Sequence, residues 1–554
     1  MDDSALYPPI EPTNFDLIVI GTGLPESIIA AAASVASKTV LQLDPNPYYS
    51  SHFASLPLHD FTDFLKIHSQ PQSSPLETQT SSSGEFYVLP LTTRTLYSSV
   101  ETSVFSPEIL EKSHKFNLDL VGPRVLFCAD AMIDLILKTE INHYMEFKSV
   151  DASFICEGKE GNLRNVPDSR SAIFKDKSLS FTEKNQLMRF FKLVQEHFGD
   201  GSHEEKQKIP EEDLESPFVE FLSRKIGLSP KLKSIILYAI SMADYEQDDV
   251  EVCKEVLKTK DGIDRLILYH SSVGRFPNAP GAMIYPLYGH GELPQAFCRR
   301  AAVKGAIHVL RMPVVGLLAD KEVGNYKGVK LVSGQELFSD KLILAPSYIL
   351  PSGLAPSPSH PQRDGYHDFH QDGKERVVRG ICITKSSLKP DVPNCLVFYP
   401  PKSLCAKQLT SVRVFQLSSH VAACPSGMFV VYLSTVCEDV GQGKKIVNEA
   451  INALFSSPVS GTTKENSTDC QSENTAVKLK PSLLWSTVYI QELTLGAFDC
   501  VSSTFMPDGN LQYNHLLDAT TKVFQKMYPN EEFFPKTASS NEVAEDGAFE
   551  QLDS

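Results

Sequence analysis

Near the start of the chain, apolar residues fall into short unbroken runs around one alanine-rich stretch. FDLIVIG (15–21) has the length and composition of a buried parallel strand, and ESIIAAAASVAS (26–37) favours helix. TVLQLD (39–44) reads as a second buried strand. Strand, Gly-Thr-Gly turn, helix and strand predict the βαβ unit of a dinucleotide-binding fold. Later, GELPQAFCRRAAVKG (291–305) has helical periodicity and AIHVLRMPV (306–314) reads as a strand. VVGLLAD, GVKLVSG and ELFSDKLILAP then predict a meander. The middle of the chain changes period. Segments 126–148, 171–198 and 216–260 carry helical spacing, with Phe190, Phe191, Phe198, Phe221, Leu222, Ile235, Ile236 and Ile240 among the apolar positions.

The expected fold is therefore α/β. A flavoprotein-like, discontinuous multi-sheet domain of FAD/NAD(P)-binding type is assigned to 1–125, 149–168 and 263–536. An inserted α-helical domain takes 126–148, 169–198 and 216–262, and 199–215 forms a charged linker. Polar stretches at 69–84, 352–375 and 458–476 read as loops, and 537–554, with five acids and no base, as a disordered tail.

Composition narrows the function. The 554 residues hold 52 Lys+Arg against 68 Asp+Glu, a formal charge of −16 that disfavours nucleic acid and anionic membrane surfaces as partners. Neutral, lipidic or basic partners remain open. The 11 cysteines are scattered and no CxxC pair occurs, which argues against a disulfide framework or zinc site. The acidic, proline-containing start is unlike a secretory signal. Asp2 after the initiator Met and the terminal QLDS match no lipidation motif. No apolar run approaches the ~20 residues that span a bilayer. A soluble cytosolic protein without a transmembrane segment is the expectation.

The glycine loop is the first candidate site. Gly21 and Gly23 fit a G-x-G-x-x-G pattern, but Glu26 replaces the third glycine and Pro25 precedes it. An acid at the helix N-terminus takes the place that a pyrophosphate would use. Asp44 still stands where a ribose-binding acid would. Near the end, TFMPDGN (504–510), followed by a helical stretch at 515–529, lacks the Gly-Asp order that closes over a flavin. His114, His143, His203 and His308 stand isolated, and no catalytic triad or metal-ligand set is apparent. Neither a catalytic residue nor a cofactor is expected.

These residues resemble a known family. FDLIVIGTGLPESIIAAAASV…VLQLDPNPYYS is similar to the amino-terminal region of the Rab GDP-dissociation inhibitor and Rab escort protein superfamily. FNLDLVGPRVLFCADAMIDLILKTEINHYMEFKSV (116–150) and the run from Gly274 to Tyr348 resemble two further blocks, and 482–535 matches more weakly. LPES at 24–27, the insertion near 69–84, KDKSLSFTEKNQLMRFFKLV (175–194) and the length resemble the escort branch. That resemblance implies a non-enzymatic accessory subunit, component A of Rab geranylgeranyltransferase. Such a subunit binds GDP-loaded Rab GTPases and presents their C-terminal cysteines to the catalytic α/β heterodimer. It then carries the prenylated product to membranes, associating with them transiently. The alternatives are a dissociation inhibitor that only recycles prenylated Rabs, and an FAD-dependent oxidoreductase of amine-oxidase type.

The resemblance also implies sites. Its Rab-binding platform maps onto Tyr49, in the Tyr48-Tyr49 pair, and onto Glu292 and Arg299, with an apolar contact at Val309 where the family often has Met. Helical spacing puts Glu292, Gln295 and Arg299 on one face and Leu293, Phe297 and Ala301 on another. Read from the residues alone, such a stripe is more often a solvated face. The inserted helical domain resembles one that contacts the transferase α subunit and shelters the geranylgeranyl chain, with Leu232, Ile235, Ile236, Tyr238 and Ile240 as candidates. An ordinary helical core would have the same residues. Ser241–Glu246 resembles the family's mobile loop.

Overall fold

In the computed structural model, the run around Phe15 is strand β1 (Asn14–Ile20), the alanine-rich stretch is helix α1 (Leu24–Val35), and the next run is β2 (Val40–Asp44). The structure describes residues 7–70, 79–80, 84–156, 158, 161–167, 170–198, 208–251, 253–351, 354, 375–456, 480–494 and 501–535. The first sheet also contains β3 (Gln79–Thr80), β4 (Phe86–Pro90), β5 (Ile307–Leu310), β6 (Val314–Asp320), β7 (Tyr326–Leu331), β8 (Glu336–Leu344) and β9 (Val501–Ser503). Its nine strands run β5-β2-β1-β8-β7-β6-β4-β3, with β9 on β8. Pairings among β5, β2, β1, β8 and β9 are parallel, while those from β8 through β3 are antiparallel.

The helices used below are α2 (Ala131–Lys138), α3 (Phe181–Phe198), α4 (Glu211–Glu215), α5 (Thr259–Ser272), α6 (Glu292–Val303), α7 (Val440–Leu454) and α8 (Asn514–Met527). Alternation along β1 and β2 sends Leu17, Val19 and Val40 towards α1, α6 and α8, and Ile18, Ile20, Leu41 and Leu43 to the opposite face with the meander. The run reads as unbroken because both faces are covered. Four successive alanines, Ala30–Ala33, are buried in α1, and their small side chains let α6 pack closely against it.

A second sheet of eight strands has the order 163–165, 152–156, 395–399, 412–418, 429–437, 376–384, 483–492 and 97–104. One face carries α7, where Ile446, Val447 and Ala450 meet Val378, Val431 and Leu433. The other faces the helical middle of the chain, so that Phe190, Phe218, Ile236 and Leu266 share one core with Ile381, Phe398 and Phe415.

Several boundaries differ from the sequence reading. Most of segment 126–148, expected in the helical domain, packs elsewhere: Met132, Ile133 and Ile136 of α2 join the core of α1, α6 and α8, while Phe127 stays with the helical middle beside Tyr269. Helix α5 crosses the expected boundary at 262, because Ile263, Leu266 and Tyr269 pack with the helical middle. Part of the expected linker 199–215 is helix α4, anchored by buried Leu214. The expected loop 69–84 contributes β3, which pairs with β4. The loop at 458–476 and the tail at 537–554 lie outside the described residues, as does most of 352–375.

Candidate functional site

Helix α6 runs along the side of the first sheet with its apolar stripe inward. Leu293, Phe297 and Ala301 are fully buried against α1 and α8, and burial of a side chain such as Leu or Phe stabilises by roughly 1.5–3 kcal/mol. The other stripe stays open: Gln295 and Arg299 are exposed and Glu292 is half-buried. Partial burial raises the Glu292 carboxyl above its ordinary range. Gln295 Nε2 donates to the Gly291 carbonyl at 3.2 Å, and the Arg299 guanidinium lies 4.3 Å above the Tyr144 ring. The stripe thus offers a carboxyl, an amide and a stacked guanidinium side by side.

Tyr49 is half-buried beside this helix, its ring 6.3 Å edge-on from that of His308 on the edge strand β5. Burial lowers the His308 imidazole to about 4, so it is neutral at physiological pH. Tyr48 does not join the platform, because it packs inward against the core that contains Tyr97. Val309 does not join it either. Successive strand residues face opposite ways, and Val309 packs with Ile307 against the meander side while His308 faces Tyr49.

The turn before α6 is held by a buried carboxylate that the sequence reading missed. Asp119 Oδ1 accepts from the Ser55 hydroxyl and from the His290 backbone N–H at 3.0 Å, while Oδ2 accepts from Tyr285. Ser55 Oγ in turn accepts from Gly291 N at 2.9 Å. Gly289 has φ +107°, and a Cβ there would lie 2.5 Å from Asp119 Oδ1, so glycine is required for this approach. His290 donates from Nε2 to the Arg124 carbonyl at 2.8 Å and accepts at Nδ1 from Tyr513, which sets its tautomer. The only sequence signal for this cradle was the glycine on either side of His290.

The glycine loop lies at the carboxyl ends of β1 and β2. Gly21 has φ +112°, and a Cβ there would meet Ala345 at 2.7 Å, the close approach that a tight turn needs. Glu26 folds back over Gly23 and accepts a hydrogen bond from Thr504 just after β9. Its carboxyl is fully buried, and burial raises it to about 7. Glu26 therefore blocks the glycine loop by occupying it, while burial works against its charged form. Asp44 Oδ2 accepts from Thr22 Oγ1 at 2.6 Å and Ser51 Oγ at 2.7 Å, and Oδ1 from Asn46 N at 2.8 Å and Asn46 Nδ2 at 2.9 Å. Both Asp44 oxygens are committed to the protein's own groups, whereas Glu26 Oε2 is buried without a hydrogen-bond partner and lies where a Cβ of Gly23 would be, so the glycine loop is filled by this carboxyl and does not fit a pyrophosphate.

Leu232, Ile235, Ile236, Tyr238 and Ile240 form no exposed groove: all five are buried, the run 235–240 lies between α5 and the second sheet, and Tyr238 accepts from Gln247 N at 3.1 Å. Loop 241–246, which resembles a mobile element, is fastened by its carbonyls. Arg265 donates to Ser241 O at 2.7 Å, Arg413 to Met242 O at 2.8 Å, Ser411 Oγ to Ala243 O at 2.8 Å and Ser411 N to Asp244 O at 2.7 Å. Among the described residues no His/Cys/Asp/Glu cluster could hold a metal, and none of the helices is long and apolar enough to cross a membrane. The nine described cysteines are free thiols, six of them buried.

The chain matches the GDP dissociation inhibitor family model over residues 11–82 and 76–460. It is 53% identical to Rab escort protein 1 of Arabidopsis thaliana, across 98% of this chain and 97% of that one. It is 28% identical to the Rab proteins geranylgeranyltransferase component A of Drosophila melanogaster, across 97% and 93%. The crystal structure of Rab GDI from Plasmodium falciparum has the same fold, with a TM-score of 0.63 and 19% identity across 94% of this chain and 99% of that one.

Proposed function

The chain belongs to the GDP dissociation inhibitor family, and from that premise we propose that it serves as a Rab escort factor, the accessory component of Rab geranylgeranyltransferase. It binds GDP-loaded Rab GTPases, presents their C-terminal cysteines to the catalytic α/β heterodimer and delivers the prenylated product from the cytosol to membranes. The observation that carries this reading is the 53% identity, nearly end to end, to a protein named as a Rab escort protein. The site's chemistry supports it. A carboxyl, an amide and a guanidinium on the open face of a helix whose other face is core suit docking to a folded partner, as does a tyrosine beside them. The chain's role is to bind and orient, since Asp44 is spent on internal hydrogen bonds and the buried Glu26 carboxyl fills the glycine loop.

The lipid is a second ligand of this reading. Taking a geranylgeranyl chain out of water is worth ~0.8 kcal/mol per CH₂. The helical middle is closed over Leu232, Ile236 and Ile240, so sheltering the chain there requires those helices to part.

Reconstitution tests the proposal. Purified transferase α/β heterodimer and a GDP-loaded Rab should incorporate geranylgeranyl only when this protein is added. No incorporation, with prenylated Rab still extracted from membranes, would favour a dissociation inhibitor. A stoichiometric flavin in the purified protein would favour an oxidoreductase. Arg299→Ala, at an exposed residue, and Glu292→Ala, at a half-buried one, should each weaken Rab binding about tenfold with little change in thermal stability, as expected for anchors of an interface.

A further inference from the structure

The residues that would hold a ribose in a dinucleotide fold are buried, polar and fully engaged, and what they engage is the loop that carries Tyr49. Thr22 Oγ1 donates to Asp44 Oδ2 at 2.6 Å and accepts from the Ser50 backbone N–H at 2.9 Å. Ser51 Oγ donates to the same carboxylate oxygen at 2.7 Å and accepts from Thr22 N at 3.0 Å. Ser50 Oγ then donates to the Gly291 carbonyl at 2.8 Å, the residue before Glu292. A continuous line of direct bonds therefore runs from Asp44 through Thr22 and Ser50 to the first turn of α6, linking the two halves of the platform.

Ser50 adopts φ +85°, a left-handed conformation that disfavours a residue with a Cβ. Its N–H is bonded to Thr22 and its hydroxyl to Gly291, so hydrogen bonds on both sides hold the turn. Thr22 is 1% exposed, and Asp44 and Ser50 are 0% exposed, so none of the three can touch a docked protein. Any effect they have on binding must pass through the groups they hold in place.

We propose that Thr22 is a positioning residue for partner binding: its hydroxyl, oriented by Asp44, fixes Ser50 and so presents Tyr49 beside α6. The former dinucleotide crevice serves here as the bracket of a protein-binding surface. This rests on the reading that Tyr49 and α6 receive the Rab GTPase.

The test compares Thr22→Val, which removes the hydroxyl at nearly constant volume, with Thr22→Ser, which keeps it. The readout is affinity for a Rab carrying fluorescent GDP, with thermal unfolding and affinity for the α/β heterodimer as controls. Thr22→Val should weaken Rab binding about tenfold by leaving the buried Ser50 N–H without an acceptor, and Thr22→Ser should restore it to within about threefold. Combined with Tyr49→Ala, Thr22→Val should add nothing further, because both act through one side chain. Affinity for the heterodimer should not change. Wild-type Rab affinity in folded Thr22→Val, or losses additive with Tyr49→Ala, would overturn the proposal. Should Thr22→Val not fold, Ser50→Ala removes only the link to Gly291. A loss of about threefold that is non-additive with Glu292→Ala supports the bracket, and unchanged or additive affinity overturns it. If Tyr49→Ala, Glu292→Ala and Arg299→Ala all bind Rab normally, the platform reading itself has failed, an outcome distinct from failure of the bracket.

Discussion

Helix α6 and the apolar run at 235–240 look alike as candidates for contact with another molecule, yet the fold treats them oppositely. Helix α6 lies on one side of a sheet and packs mainly on α1, so its second stripe, Gln295 and Arg299, stays open. The run Ile235–Ile240 is enclosed by α5 on one side and by strands 152–156 and 395–399 on the other, and all six residues are buried. The difference is the number of packing partners. A helix with one neighbouring layer keeps a face for binding, whereas one with two becomes core.

The sharpest way to break this comparison is to empty the enclosed run. Ile236→Ala should cost about 2–5 kcal/mol, seen as a lower midpoint of urea unfolding, because it leaves a cavity in a closed core. A cost under about 1 kcal/mol would mean that these helices stand open for a ligand.

A smaller effect belongs to the crevice under α6. Burial holds the Glu26 carboxyl at about 7, above its unfolded value of 4.5. Between those values the folded state binds more protons than the unfolded chain, so this group costs stability as pH rises from 4.5 to about 7, and the loss persists above that. Glu26→Gln should therefore stabilise the protein on the order of 2 kcal/mol at pH 8 and by little at pH 4.5. An equal effect at both pH values would show that Glu26 is not held protonated by burial. The smallest effect should come from Val309→Ala. Its side chain lies across the sheet from Tyr49, so Rab affinity measured by nucleotide fluorescence should change by less than about twofold. A tenfold loss would move Val309 into the platform.

Much of the architecture was legible because its periods are strong. The βαβ start follows from unbroken apolar runs flanking an alanine-rich stretch, and the α6 helix and the meander from their own apolar patterning. The stripe Glu292, Gln295 and Arg299 was legible for the same reason. Placing α2 was not, because an amphipathic helix of eight residues carries no label for the core that will receive it. The Asp119 cradle was invisible as well: its partners Tyr285 and His290 are 166 and 171 positions away along the chain.

The sequence by itself determined the elements, the spoiled glycine loop and the open stripe of α6, because these are local properties of backbone period and residue type. Tertiary structure decided which apolar residues are core, that Tyr48 and Val309 turn away from the platform, and that Asp44 and Thr22 brace a loop. Those outcomes depend on contacts between distant segments, and only the packed fold brings such groups within hydrogen-bond reach.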